Sequence, residues 1–132
     1  MAYLLDTNTV IALMKNNADV VTRVRETGLA ELRICVPVEA ELWFGVAKSA
    51  RPDENRQRLL VLLSWLPSLP FTSDAAPYFG DIRAYLAKKG TPIGPYDLQI
   101  AAIARARGLV LVTHNTDEFS RVPLLALEDW IG

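Results

Sequence analysis

Residues Tyr3–Met14 read YLLDTNTVIALM. Tyr3, Leu4 and Leu5 make a short unbroken apolar run, the pattern of a parallel strand buried on both faces. The run ends on Asp6 and the polar Thr7, Asn8 and Thr9, after which Val10, Ile11 and Met14 recur at helical spacing. A strand that turns at once into a helix is the opening unit of an α/β layered fold. Asp6 has two readings here. Its side chain can cap the helix by accepting from the amide of Asn8 or Thr9, or it can be half of a site completed by residues far down the chain.

The same alternation continues. A second helix is expected from Ala18 to about Thr27, stopped by Gly28, and LRICV at 32–36 reads as the next strand. Pro37 marks a helix start, because a proline in the first turn forfeits no hydrogen bond; that helix runs to about Ser49. Pro52 opens another that reaches Trp65 and stops before Pro67. A short strand is expected near Leu69, then a helix capped by Ser73 and running to Lys89, with its lysines at the favourable C-terminal end. GTPIGP at 90–95 is a turn-rich loop, and a largely apolar helix follows to Arg107, stopped by Gly108. LVLVT at 109–113 is the clearest strand, and the tail VPLLALEDWIG supplies one more at an edge. No repeat, linker or low-complexity segment interrupts the order, so one domain over residues 1–132 is expected, with a mainly parallel central sheet. Sites in such sheets collect at the carboxyl ends of the strands. Asp6 stands at the first such end, and the polar segment from Thr113 to Asp117 follows the last strong strand.

Composition narrows the chemistry. The chain has 132 residues, 51% hydrophobic and 22% charged, as a packed domain requires. Its apolar runs fall far short of the roughly 20 residues that span a bilayer, and Asp6 interrupts the first of them, so neither a membrane span nor a leader is read and a cytoplasmic protein is expected. One cysteine, Cys35, and one histidine, His114, leave no zinc-type ligand cluster. Cys35 falls in the LRICV strand and reads as an inert core thiol. A net charge of −1 argues against general attraction to nucleic acid, while Arg51, Arg56 and Arg58, like Arg105 and Arg107, can form local basic patches.

The remaining signal is acidic. Asp97 lies in the first turn of a helix whose next residues, Leu98, Ile100, Ala101, Ala102, Ile103 and Ala104, are apolar. Interaction with the helix dipole explains a carboxylate at that place, yet an ionised group on a buried helix is costly unless a cation or donor answers it. Glu39 and Glu41 occupy the first two turns of the helix after Pro37, and geometry does not choose between them. VTHNTDEF at 112–119 adds His114, Asn115, Asp117 and Glu118 on a strand-end loop, where α/β proteins place chemistry. Oxygen ligands gathered at strand ends suit a hard divalent cation such as Mg²⁺ or Mn²⁺. Such ions serve phosphoryl displacement, which makes a phosphodiester the natural substrate.

Taken in order, LLDTNTVIALM, EAELWFG, GTPIGPYDLQIAAIARARGL, LVLVTHNTDEFSRVP and the closing LEDW resemble the PIN-domain ribonucleases, in particular the VapC-type toxins of bacterial toxin–antitoxin pairs. The match runs from Tyr3 to Trp130. GTPIGPYD and THNTDEF look most like the members that cut initiator tRNA in its anticodon loop. The resemblance implies a three-layer α/β/α sandwich with an acidic pocket for Mg²⁺ or Mn²⁺. It sets the family's first aspartate on Asp6, its glutamate on Glu41 rather than Glu39, and its third acid on Asp97, with Asp6 and Asp97 touching the metal. The fourth position, two residues after the threonine that ends the strand, holds Asn115, with Asp117 two residues further on, where it either substitutes as the fourth catalytic acid or caps a local turn. Asn115 can ligate through its carbonyl or orient a water but brings no charge. Thr7, Asn8 and Thr113 fall beside these acids and are expected to position a carboxylate or the substrate phosphate.

The implied activity is metal-dependent endoribonuclease cleavage leaving 5′-phosphate and 3′-hydroxyl ends, held in check by a VapB-type antitoxin, in a toxin that forms a homodimer. LWFG and the segment from Pro52 to Leu66 carry more apolar residues than one buried face needs, consistent with a partner surface. Two other classes compete. Haloacid-dehalogenase-type phosphatases also begin with a strand ending in Asp, but they need a second Asp where this chain has Asn8. A non-catalytic RNA- or protein-binding module of the same fold is the other, and the three acids Asp6, Glu41 and Asp97 argue against it.

Overall fold

A computed structural model describes residues 1–132. Five parallel strands form one sheet: β1 (Tyr3–Leu5), β2 (Leu32–Cys35), β3 (Ser68–Leu69), β4 (Val110–Val112) and β5 (Leu127–Glu128), in the order β3-β2-β1-β4-β5. The helices are α1 (Thr7–Met14), α2 (Ala18–Thr27), α3 (Val36–Ala47), α4 (Pro52–Leu63), α5 (Ala76–Lys89), α6 (Pro95–Arg107) and α7 (Thr116–Phe119). From β1 the chain steps outward through β2 to β3, then returns past β1 to β4. Right-handed crossovers place the helices of the outward path on one face and those of the return path on the other, giving the α/β/α sandwich. None of these helices is long and apolar enough to cross a membrane.

Strands this short hold together because both faces are covered. Leu4, Leu5, Leu32, Ile34, Leu111 and Val112 are fully buried, and one continuous core joins them to α3, α4, α5 and α6. α6 is the most deeply set helix, with Leu98 and Ile100 to Ala104 all buried. It ends as expected: Gly108 takes the left-handed conformation at φ 65° that closes a helix and that other residues adopt reluctantly. Cys35 is buried at the end of β2, and desolvation pushes its thiol up to about 12, as an inert core cysteine requires.

Three local expectations are corrected. Ser73 does not cap α5; the helix begins at Ala76 with Pro77 in its first turn and no side-chain cap, while Ser73 lies in the preceding turn. Val36 leaves β2 to open α3, because Pro37 beside it favours the first helical turn over a strand. The segment after Thr113 is not a plain loop: Thr116 to Phe119 form one helical turn, anchored by the buried Phe119.

The sheet order creates the site. β1 and β4 are neighbours, with Leu5 opposite Val112. Their connections depart to opposite sides, so the crevice beyond their carboxyl ends is the topological switch point, where α/β sheets bind ligands. Asp6 and Thr113, the next residues in register, line it.

Candidate active site

Asp6 follows β1 and has only 6% of its surface exposed. Its Oδ1 accepts the Thr9 amide at 3.0 Å, so it caps α1, while its own amide donates to the Val112 carbonyl at 3.0 Å. The Thr9 hydroxyl donates to the same carbonyl at 3.2 Å, tying α1 to β4. The two readings of Asp6 are therefore compatible: one oxygen caps, and the carboxylate still faces the crevice acids. Burial raises its pKa; hydrogen bonds from Thr113 and Thr9 oppose that shift without cancelling it.

Asp97 reaches the same place from the first turn of α6, whose start is set by Gly94 and Pro95. Burial pushes its pKa up to about 6, reinforced first by Glu118 and then by the charges of Glu41 and Asp6. The other three carboxylates therefore all act on Asp97, although the four come from the turn after β1, α3, α6 and α7. Glu118 is held by Asn115 Nδ2, which donates to it at 2.8 Å, and by the Gly94 amide at 3.3 Å. These donors lower its pKa, with a smaller contribution from Arg121. In the pair Asp97–Glu118 the proton thus belongs to Asp97.

The structure separates the two glutamates of α3. Glu39 accepts from Trp43 Nε1 at 3.3 Å, whereas Glu41 acts on Asp97 and Cys35 and borders a cleft beside α1. Thr113 is fully buried, and its hydroxyl meets both Asp6 and the Asn115 amide, the latter at 3.0 Å. Thr7 Oγ1 is buried without any partner in the chain. Asn8 is exposed on the first turn of α1. Asp117 is exposed on α7 and exerts none of the shifts that mark the other acids. His114 is also exposed and pairs its Nδ1 with Asp129 at 3.0 Å.

Glu118 is the acid beside Asp97 that sequence reasoning did not select. Its signal was present: it directly precedes the buried Phe119 and lies three residues after Asn115, a spacing that becomes a contact only if the segment is helical.

None of the chain's ion pairs involves Asp6, Glu41 or Asp97, so the field of these acids is not answered by a side-chain cation. No three of the carboxylates close tightly enough to enclose a bare ion. A cation such as Mg²⁺ needs only one or two direct carboxylates and keeps several waters, so it does not require a tighter cluster. The all-oxygen donor set, the unpartnered Thr7 hydroxyl and the raised pKa of Asp97 all fit such a group.

Known proteins share this fold. The family model described as "PIN domain" matches residues 3–125. The tRNA(fMet)-specific endonuclease VapC of Salmonella typhimurium is 42% identical over 133 residues, covering 98% of each chain. A DNA-bound VapBC structure from Salmonella typhimurium superposes with a TM-score of 0.92 at 40% identity, covering 98% of both chains. VapBC2 from Rickettsia felis, bound to a fragment of its promoter, superposes with a TM-score of 0.88 at 36% identity over 98% of this chain and 99% of that one. With a family model spanning nearly its whole length and relatives this similar from end to end, the chain belongs to the PIN-domain family, among the VapC-type proteins.

Proposed function

We propose that this chain is a metal-dependent endoribonuclease, the toxin of a VapBC-type pair, and that Asp6 and Asp97 are the direct ligands of a Mg²⁺ or Mn²⁺ ion. The observation that carries this reading is the convergence of Asp6, Glu41 and Asp97 at the switch point of the sheet, none of them in an ion pair, with Glu118 set beside Asp97. A divalent cation held there supplies positive charge to the phosphodiester and acidifies an attacking water.

The chain's own residues do the rest. Asp6 is kept in place by its cap to Thr9, and Asp97 must release its proton before it can ligate. Glu41 and Glu118 would help hold such a group by accepting from water beside it, Glu118 being oriented by Asn115 and Gly94. The Thr7 hydroxyl, buried and unpartnered in the metal-free chain, is placed to steady the neighbouring Asp6 carboxylate rather than to reach the substrate. Thr113 steadies Asp6, and Asn8 contacts the incoming strand. Asn115 therefore acts by orientation, and Asp117 has no role in the chemistry.

Likeness to the relative named for tRNA(fMet) makes initiator tRNA the proposed substrate, cut in its anticodon loop. A VapB-type antitoxin is the proposed occupant of the apolar groove of about 650 Å³ between α1, α2 and α4, which Leu29, Val61 and Trp65 line. The exposed Val36, Phe44 and Phe71 leave apolar surface for a homodimer, acting in the cytoplasm. The deciding experiment incubates purified chain with total cellular RNA and Mg²⁺ and maps the ends. Discrete cuts in one tRNA, bearing 5′-phosphates and abolished by EDTA, are expected. Cleavage that survives chelation overturns the metal mechanism, and absence of any cleavage overturns the enzyme.

A further inference from the structure

A second cleft, of about 240 Å³, opens beside Glu41 where α1, α3 and α4 meet. Ile11 and Leu42 are among the apolar residues that line it, together with Lys15, Asn55 and Arg58. Neither cation is neutralised: Lys15 and Arg58 join no ion pair, and Arg58 donates from Nη2 to the Met14 carbonyl at 2.9 Å, which fixes its position and leaves its charge free. Gly45, inside α3, forms part of the lining. Its φ is not in the left-handed region, and a Cβ added there meets nothing within 4 Å. A glycine in a helix interior is less favourable than alanine. Neither backbone conformation nor close packing accounts for it; what its missing side chain does is keep the cleft open.

A polyanion entering a site with several carboxylates needs cations close by, and a net charge of −1 offers no long-range attraction. We propose that this cleft is a nucleotide subsite, in which Lys15 and Arg58 hold an RNA phosphate adjacent to the one being cut and Gly45 leaves room for the sugar and base. The proposal rests on the RNA-hydrolase reading and deepens it. Phosphate contacts position a strand without reading its sequence, so the subsite sets register along the strand and leaves base choice to other contacts.

The test uses full-length Asp97→Asn protein, which cannot cut, and a fluorescently labelled anticodon stem-loop of initiator tRNA, with binding read by anisotropy. Adding Gly45→Leu is expected to weaken binding by about tenfold or more through overfilling of the cleft, while the thermal midpoint stays level or rises. Adding Lys15→Ala is expected to weaken binding and to flatten the dependence of log K on log salt by about 0.7, the loss of one single-strand phosphate contact. Parent-like RNA binding in both variants overturns the proposal. So does unchanged RNA binding with lost affinity for the co-expressed antitoxin, which assigns the cleft to the protein partner. If the Asp97→Asn parent binds no RNA and the wild-type chain cuts none, the hydrolase reading itself fails and the subsite with it, a result distinct from failure of the cleft variants alone.

Discussion

Glu118 accepts the backbone amide of Gly94 at 3.3 Å and thereby sets its carboxylate against Asp97, three residues further along the chain from Gly94. One short helix thus braces the start of another, and an acid from each meets at the switch point. If this bracing serves the site, Glu118→Gln lowers the pKa of Asp97, because it removes the adjacent negative charge. It also reduces metal-dependent cleavage by about 10- to 100-fold, the usual effect of disturbing a group that orients metal ligands. Asp117→Asn, one residue away and exposed, leaves cleavage within about twofold, as surface substitutions outside such networks do. Steady-state cleavage of labelled tRNA distinguishes the pair; equal losses in both variants contradict the assignment.

Asp6→Asn separates the cap made by Asp6 from its proposed metal ligation. Asparagine retains an oxygen for the Thr9 amide, so the cap on α1 survives, and a buried carboxylate is removed. The melting temperature is expected to hold or rise, with cleavage falling by more than about a hundredfold. Asp6→Ala loses the cap as well and destabilises the chain by about 1 kcal/mol. A folded, fully active Asp6→Asn protein removes Asp6 from the metal site.

The pH dependence of stability has a definite sign. Asp97 titrates at about 6 in the folded chain, above its ordinary value of 3.8, so between those values the folded state holds the extra proton. Stability contributed by this residue is therefore present at low pH and falls as pH rises through that window. Asp97→Asn abolishes the loss, and allowing for the group's partial exposure the variant is more stable than wild type by about 1 kcal/mol at pH 7. Urea unfolding in EDTA from pH 4 to 8 measures the difference, which must grow with pH; a constant offset contradicts the stated cause.

Cys35 offers a control on the fold. With its thiol fully buried and pushed up to about 12, thiolate is negligible at pH 8. Ellman's reagent should therefore titrate no thiol in the native chain and one in denaturant, and prolonged exposure of the native chain to iodoacetamide should leave cleavage unchanged.

What could be read in the sequence followed the length of each periodic signal. The turn from β1 through Asp6 into α1 was legible because apolar run, cap and helix are contiguous, and α6 was legible from a long apolar face closed by Gly108. α7 was not, since four residues complete barely one turn and show no period; with it went the distinction between Asp117 and Glu118. The choice between Glu39 and Glu41 also lay beyond helical spacing. It depends on Trp43 engaging Glu39 and on α6 bringing Asp97 toward Glu41, both features of packing.

Metal binding should reverse the electrostatic strain among the acids. Burial and neighbouring acids disfavour the ionised forms of Asp97 and Asp6, so a divalent ion answers a cost already present in the metal-free fold. Adding Mg²⁺ or Mn²⁺ at a hundred times its dissociation constant is expected to stabilise the wild-type chain by about 2.7 kcal/mol, through binding to the folded state alone. Differential scanning fluorimetry reads this as a rise in melting temperature that shrinks below pH 6, where protons compete for Asp97. The rise should vanish in Asp97→Asn and persist in Asp117→Asn. Ca²⁺ is the useful comparison: it binds oxygen donors with looser geometry and at longer distances, so stabilisation without cleavage in Ca²⁺ separates holding the ion from using it.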